Sequence, residues 1–329
     1  MDVAIRLEGG HRWGLGHLQR QRGVAEALCE LGLEVGFITT AGSEAARHLG
    51  AGGWPVHPVA AGQLVPAEVR PRLLIVDMLA QGESLRRYRG AHPQVGVITF
   101  DDVGAGLAVA DAAINPLVAG WGAYDRSQVR AELLEGPAYA PLRRALTAAI
   151  EPERQVAERA RTVLLAFGGS DDHGIAPRVL DLLRTVPGAL ELRVNRGPAA
   201  RYGARLDEAI MGHPHRVMAT EEDFVAEMAR ADLVLCAGGS MLYELAALGT
   251  VAAATAGEDH EVANIASFAE AGTLVDLGSH RDLGPAAHGG LSRALFDGPR
   301  RRAMSRAGRA LVDGRGLERV VSRIMESLS

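Results

Sequence analysis

The chain contains no lysine, and every one of its 35 lysine-plus-arginine positions is arginine. Schiff-base chemistry, the anchoring of pyridoxal phosphate and a lysine-dependent phosphate loop are therefore closed to it. Cysteine is nearly absent as well. Cys29 and Cys236 lie far apart in apolar surroundings, which argues against a disulfide framework or a thiolate metal centre and reads as two small buried side chains. No apolar run approaches the roughly 20 residues that cross a bilayer. The start, Met1-Asp2-Val3-Ala4-Ile5-Arg6, carries an early acid and no hydrophobic signal core, so the expected location is the cytoplasm. A basic stripe is missing too. The formal net charge is -5, with arginines scattered among acids, and nucleic acid is not an expected partner.

What is present is an ordinary globular composition, 47% hydrophobic and 23% charged, over 329 residues. That length exceeds what one core usually serves, so two domains are expected. Short Val-, Ile- and Leu-rich runs alternate with segments of helical period, the pattern of parallel sheets covered by helices. In the first half the runs predict strands at 3–8, 34–39, 56–59, 73–77, 95–101 and 113–115, with helices starting near His17, Ser43 and Glu83. In the second half strands are expected at 162–167, 190–194, 216–219, 233–237, 251–255 and 274–276. Helices there should begin near Gly174, Ala199, Glu221, Ser240, Glu261 and Ala287. The fold class is thus α/β, with two doubly wound units, 1–150 and 151–329. Two arginine-rich amphipathic helices, broken at Asp313-Gly314-Arg315-Gly316, should close the chain by packing on the domains.

In open parallel sheets ligands bind beyond the carboxyl ends of the strands. The first such place runs from Glu8 through Gly14-Leu15-Gly16-His17 to Arg20. A glycine-rich turn entering a helix directs backbone N–H groups and a partial positive charge at an anion. The third glycine of the dinucleotide fingerprint is replaced by Gln19, and the second strand ends in Thr39-Thr40 without an acid, so nicotinamide cofactors are disfavoured. His17 at the helix start is a candidate general base. The second place is Gly238-Gly239-Ser240, where glycines admit a diphosphate, Ser240 can cap the helix or donate to phosphate, and Glu244 lies within reach of ribose hydroxyls. The third, Gly168-Gly169-Ser170-Asp171, reads either as an Asp-capped turn or as a second set of backbone donors. Asp77, Asp101 and Asp102 end strands of the first half and could bind sugar hydroxyls, orient His17 or simply satisfy loop amides.

With these sites in place, the chain resembles the family of the pseudaminic-acid pathway UDP-sugar hydrolase and the spore-coat polysaccharide biosynthesis protein SpsG. It is more distantly similar to MurG-type glycosyltransferases of the GT-B fold. The resemblance rests on Arg6, Gly14-x-Gly16-His17-x-x-Arg20, Asp77, Asp101-Asp102, Asn115 and Gly136-x-x-Tyr139-x-x-Leu142-Arg143 in the first half. It continues in Gly168-Gly169-Ser170-Asp171, Gly238-Gly239-Ser240-x-x-x-Glu244 and Asp313-Gly314-x-Gly316-x-x-Arg319. It implies a GT-B architecture of two Rossmann-like domains facing a central cleft, with no cofactor and no metal. The N-terminal domain would carry the sugar side and the C-terminal one would bind UDP.

Residue by residue, the resemblance makes His17 the base or water-orienting group. Arg6, Glu8, Gly14, Gly16 and Arg20, with Asp77 and Asp101, would face the sugar. Gly168, Gly169, Ser170, Gly238, Gly239, Ser240 and Glu244 would hold the nucleotide. The sequence departs from the family on the sugar side: Glu8 stands for an aspartate, Leu79 for an aromatic, and His260-Glu261 for an Asn-Gln pair, adding a titratable pair there. The expected activity is metal-independent hydrolysis of a UDP-linked amino or deoxy sugar. The alternative is an inverting glycosyltransferase with a nucleotide-sugar donor, and a third reading is a non-catalytic nucleotide-sugar binding protein.

Overall fold

In a computed structural model of the chain, the structure describes residues 1–9, 16–78, 82–102, 104–116, 126–167, 171, 173–186, 190–195, 203–211, 214–217 and 221–329. The chain divides into two compact units, one of Met1–Arg143 with Gly314–Ser329 and one of Arg144–Asp313. The sequence reading placed the junction near residue 150 and allowed for the final helices to pack back on the N-terminal domain.

The first unit holds seven strands: β1 (Val3–Leu7), β2 (Val35–Thr40), β3 (Val56–Val59), β4 (Leu73–Asp77), β5 (Gly96–Phe100), β6 (Ala112–Asn115) and β7 (Glu132–Glu135). They form one parallel sheet in the order β3-β2-β1-β4-β5-β6-β7. Helices α1 (Gly16–Glu30), α2 (Glu44–Ala51) and α3 (Gly82–Ala91) follow β1, β2 and β4. Strands buried on both faces need apolar side chains throughout, which is why these runs are continuous and do not alternate. One face of the sheet presents Val3, Ile5 and Leu7 to Val24 and Leu28 of α1. The other places Ala4 with Leu74, Val76 and Val97.

The second unit repeats the design with α4 (Arg144–Thr147), β8 (Thr162–Ala166), α5 (Ile175–Arg184), β9 (Glu191–Val194), α6 (Gly203–Ile210) and β10 (His215–Val217). It continues through α7 (Glu221–Arg230), β11 (Leu233–Cys236), α8 (Met241–Leu248), β12 (Ala252–Ala256), α9 (Asp259–Glu270), β13 (Leu274–Ser279), α10 (Pro285–Phe296) and α11 (Gly298–Leu311). Its six-stranded parallel sheet runs β10-β9-β8-β11-β12-β13. Gly308 lets α11 lie against α8, since a Cβ there would stand 2.9 Å from the Ala246 carbonyl oxygen.

The last helix, α12 (Gly316–Leu328), returns to the first unit. Leu317, Val320 and Ile324 join the core beside β1, α1 and β5. The glycine motif before it is structural. Gly314 adopts φ +77, and a Cβ on Gly316 would meet the Ala140 carbonyl oxygen at 2.0 Å. Arg319 then donates to the Ala138 carbonyl at 2.8 Å, tying α12 to the turn that begins at Gly136. Of the two cysteines, Cys236 is buried as expected, whereas Cys29 is exposed in the last turn of α1. Among the described residues no helix is long and apolar enough to cross a membrane.

Candidate active site

In each sheet the strand order reverses once, between β1 and β4 and again between β8 and β11. At switch points of this kind doubly wound proteins bind ligands, beyond the carboxyl ends of the strands. Asp77 ends β4, paired in register with Leu7 of β1 and Phe100 of β5. Glu8 and Asp101 therefore stand one step beyond it on either side.

α1 delivers three polar side chains to this point. His17, Arg20 and Gln21 are spaced i, i+3 and i+4, so they share one helical face. The Asp77 side chain is fully buried and receives all three. His17 Nδ1 lies 2.6 Å from Asp77 Oδ1. Arg20 donates through Nη2 to Oδ1 at 2.6 Å and through Nε to Oδ2 at 2.9 Å, a two-pronged ion pair. Gln21 Nε2 adds a bond of 2.8 Å to Oδ2. The same guanidinium reaches Asp101 Oδ2 through Nη1 at 2.7 Å and lies over the Phe100 ring at 5.3 Å.

Burial alone would push the Asp77 carboxyl up, but the Arg20 charge and the neighbouring His17 outweigh it and hold the group well below the usual carboxylate range. Burial likewise opposes the charge on Arg20, and Asp101 and Asp77 together raise its proton affinity above the ordinary value. His17, Asp77 and Asp101 offer ligand atoms within 4.8 Å of one another. The Arg20 guanidinium already bonds both carboxylates there, so a metal ion would have to displace a half-buried cation.

Asp101 takes φ +49, a left-handed conformation that Asp tolerates better than most residues. Asp102 has a different role. Its Oδ1 accepts from the Gly104 N–H at 2.8 Å, its carbonyl accepts from Asn115 Nδ2 at 3.0 Å, and burial pushes its carboxyl up against the pull of Gly104. On the far side of Asp77, Glu8 is anchored as well. The buried Arg6 donates to Glu8 Oε1 at 2.7 Å and to the Leu7 carbonyl at 2.7 Å, while the Thr40 hydroxyl also donates to Oε1.

In the second unit Gly238 is buried in the turn after β11. A Cβ there would meet Glu261 Cβ at 2.7 Å and Ile265 Cγ1 at 2.8 Å, so the glycine lets α9 close on the turn. Gly239 and Ser240 are exposed. Ser240 precedes α8 with helical φ and ψ and makes no side-chain cap bond, so the expected capping role is not seen. Glu244 lies one turn along α8 and is half-buried.

The expected His260-Glu261 pair separates into two roles. Glu261 forms a capping box with Glu258, its Oε2 accepting from the Gly257 and Glu258 amides at 2.8 and 3.2 Å, while His260 stays exposed. Asp171 caps α5 through bonds to the Ile175 and Ala176 amides at 2.7 and 3.1 Å. Gly14, Leu79, Gly168, Gly169 and Ser170 lie outside the described residues.

Sequence reasoning missed Gln21 as a holder of Asp77, although its i+4 spacing from His17 was a usable signal. It also missed a cluster in the second unit. His173 Nε2 lies 2.9 Å from Glu258 Oε1, and the His173 ring stacks on buried His280 at 4.4 Å. Only the fold brings these distant positions together.

The chain is similar to known proteins over its whole length. It is 27% identical to the spore coat polysaccharide biosynthesis protein SpsG of Bacillus subtilis over 339 aligned positions, covering 99% of this chain and 98% of that protein. It is 31% identical over 172 residues to a UDP-N-acetylglucosamine–N-acetylmuramyl-(pentapeptide) pyrophosphoryl-undecaprenol N-acetylglucosamine transferase of Xylella fastidiosa, covering 50% of this chain and 47% of that one. Among solved structures, MurG of Acinetobacter baumannii superposes with a TM-score of 0.72 at 16% identity, over 99% of this chain and 100% of that one. No protein-family model matches. The chain has the GT-B fold, and the resemblance to SpsG and to MurG-like, glycosyltransferase-like proteins stands.

Proposed function

With the GT-B fold and an end-to-end likeness to SpsG as premises, we propose that the chain transfers a sugar from a nucleotide-sugar donor to an acceptor hydroxyl, with inversion. The observation that carries this reading is His17, held at the β1/β4 switch point by a buried carboxylate and a two-pronged arginine. In the reaction His17 takes the proton of the acceptor hydroxyl, whose oxygen forms the new bond to the anomeric carbon. The bond from that carbon to the diphosphate breaks, and its electron pair leaves on the diphosphate. Glu8 and Asp101, flanking Asp77, face the sugar. The exposed Gly239 and Ser240 at the start of α8 receive the diphosphate, and Glu244 the ribose. A uracil nucleotide is the donor that the partial relative's name suggests.

Hydrolysis would use the same base with water as acceptor. Transfer is favoured because a partial relative in sequence is named as a transferase. The test is UDP release from a panel of UDP-sugars, with and without an extract supplying acceptors. Release that requires extract, and falls about 10²-fold or more in His17→Ala, is the expected result. Release without acceptor would turn the assignment to hydrolysis. Failure of UDP to raise the melting temperature, together with no release, would overturn both.

A further inference from the structure

The cluster at the β1/β4 switch point also determines where the proton on His17 sits. His17 Nδ1 has two close polar neighbours, Asp77 Oδ1 at 2.6 Å and Arg20 Nη2 at 3.0 Å. Arg20 Nη2 itself donates to Asp77 Oδ1 at 2.6 Å, so the two nitrogens converge on one oxygen. A lone pair on Nδ1 would face a carboxylate oxygen at 2.6 Å, an arrangement that ion–dipole repulsion disfavours strongly where, as here, the carboxylate is fully buried and the ring half-buried. A proton on Nδ1 converts that contact into a short, charge-assisted hydrogen bond. Asp77 Oδ2 is meanwhile filled by Arg20 Nε and Gln21 Nε2, so the carboxylate is fixed at both oxygens and cannot swing away from the ring.

We propose that Asp77 is a positioning residue that holds neutral His17 as the Nδ1–H tautomer, so that unprotonated Nε2 is the nitrogen presented to substrate, with Arg20 and Gln21 as the clamp that fixes Asp77. Electrostatics support the same arrangement. Asp77 and Asp101 share one guanidinium, leaving the cluster one negative charge in excess, and an imidazolium formed on His17 would complete the balance. The catalytic meaning of Nε2 rests on the transfer reading above. The position of the proton does not.

The experiment is a long-range proton–nitrogen correlation spectrum of protein carrying ¹⁵N-labelled histidine. The signal of His17 is picked from those of the 11 histidines by its loss in His17→Ala. The wild-type ring, once neutral, should show the Nδ1–H pattern. In Asp77→Asn the two donors on Oδ2 keep the amide oxygen there and turn its NH₂ toward Nδ1, so the ring should switch to the Nε2–H pattern, with turnover falling about 10²-fold or more. An Nε2–H pattern in wild type, or a ring still doubly protonated at about pH 9, overturns the proposal. An unchanged tautomer in Asp77→Asn overturns the role of Asp77. Should that variant fail to fold, the wild-type spectrum decides alone. Nδ1–H without any sugar transfer would instead sink the transfer reading and leave the proton assignment standing.

Discussion

At the scale of single residues, neighbouring acids of identical type have opposite roles, and their surroundings separate them. Asp101 turns into the left-handed region and meets Arg20, while Asp102 folds back on the Gly104 amide. Nothing in the dipeptide distinguishes them. Asp77 was legible as a strand-terminal carboxylate with three open roles, one of them the orientation of His17. Its partners became visible once α1 was placed over β4. Because the folded Asp77 carboxyl sits well below the usual range, its stabilisation is fully present above the unfolded value of about 4 and is lost as pH falls through the folded value. Asp77→Asn should therefore be less stable at neutral pH by about 3 kcal/mol, since it removes the fully buried partner of a guanidinium that is itself half-buried and leaves it half-compensated. In urea unfolding followed from neutral to strongly acid pH, the gap from wild type should narrow with acid. A gap of constant size would mean that the ion pair contributes nothing to stability.

At the scale of elements, the hydrophobic runs located the strands well, because a parallel sheet covered on both faces leaves little freedom in what its strands can be made of. β7 escaped that reading. Glu132-Leu133-Leu134-Glu135 has helix-forming side chains and only four residues, and it becomes a strand at the sheet edge by pairing with β6. The start of α9 shows the opposite lesson. Glu258 and Glu261 bear the spacing of a capping box, a local signal that assigns the Glu261 carboxylate a structural role at the start of α9. Glu261→Ala should lower stability by about 1 kcal/mol, and Glu261→Gln, which can still reach back to the amide, should restore most of it. Thermal unfolding of the two variants checks this. Equal losses in both would point to a need for the charge itself.

At the scale of the whole molecule, two sheets of the same winding each reverse strand order once, and the candidate residues gather at those reversals. This much was readable from the alternation of runs and the glycine turns behind β1 and β11. The return of α12 to the first unit follows from packing that no local pattern states in full. Leu317, Val320 and Ile324 are buried there, each contributing roughly 1.5–3 kcal/mol. Their sum rivals the entire margin of a typical domain, about 5–15 kcal/mol. A chain ending at Asp313 should accordingly lose the unfolding transition of the first unit while keeping that of the second. Calorimetry resolving both transitions in the shortened chain would refute the packing account.

That same helix imposes an order in time. A ribosome completes all seven strands of the first sheet before it begins the second unit, yet the side chains that cover the sheet beside α1 are made only after the second unit is finished. The second unit can reach its final form as it emerges, while the first must wait with an apolar face open to water, to other chains and to chaperones. The half of the molecule synthesised first is thus the last to close.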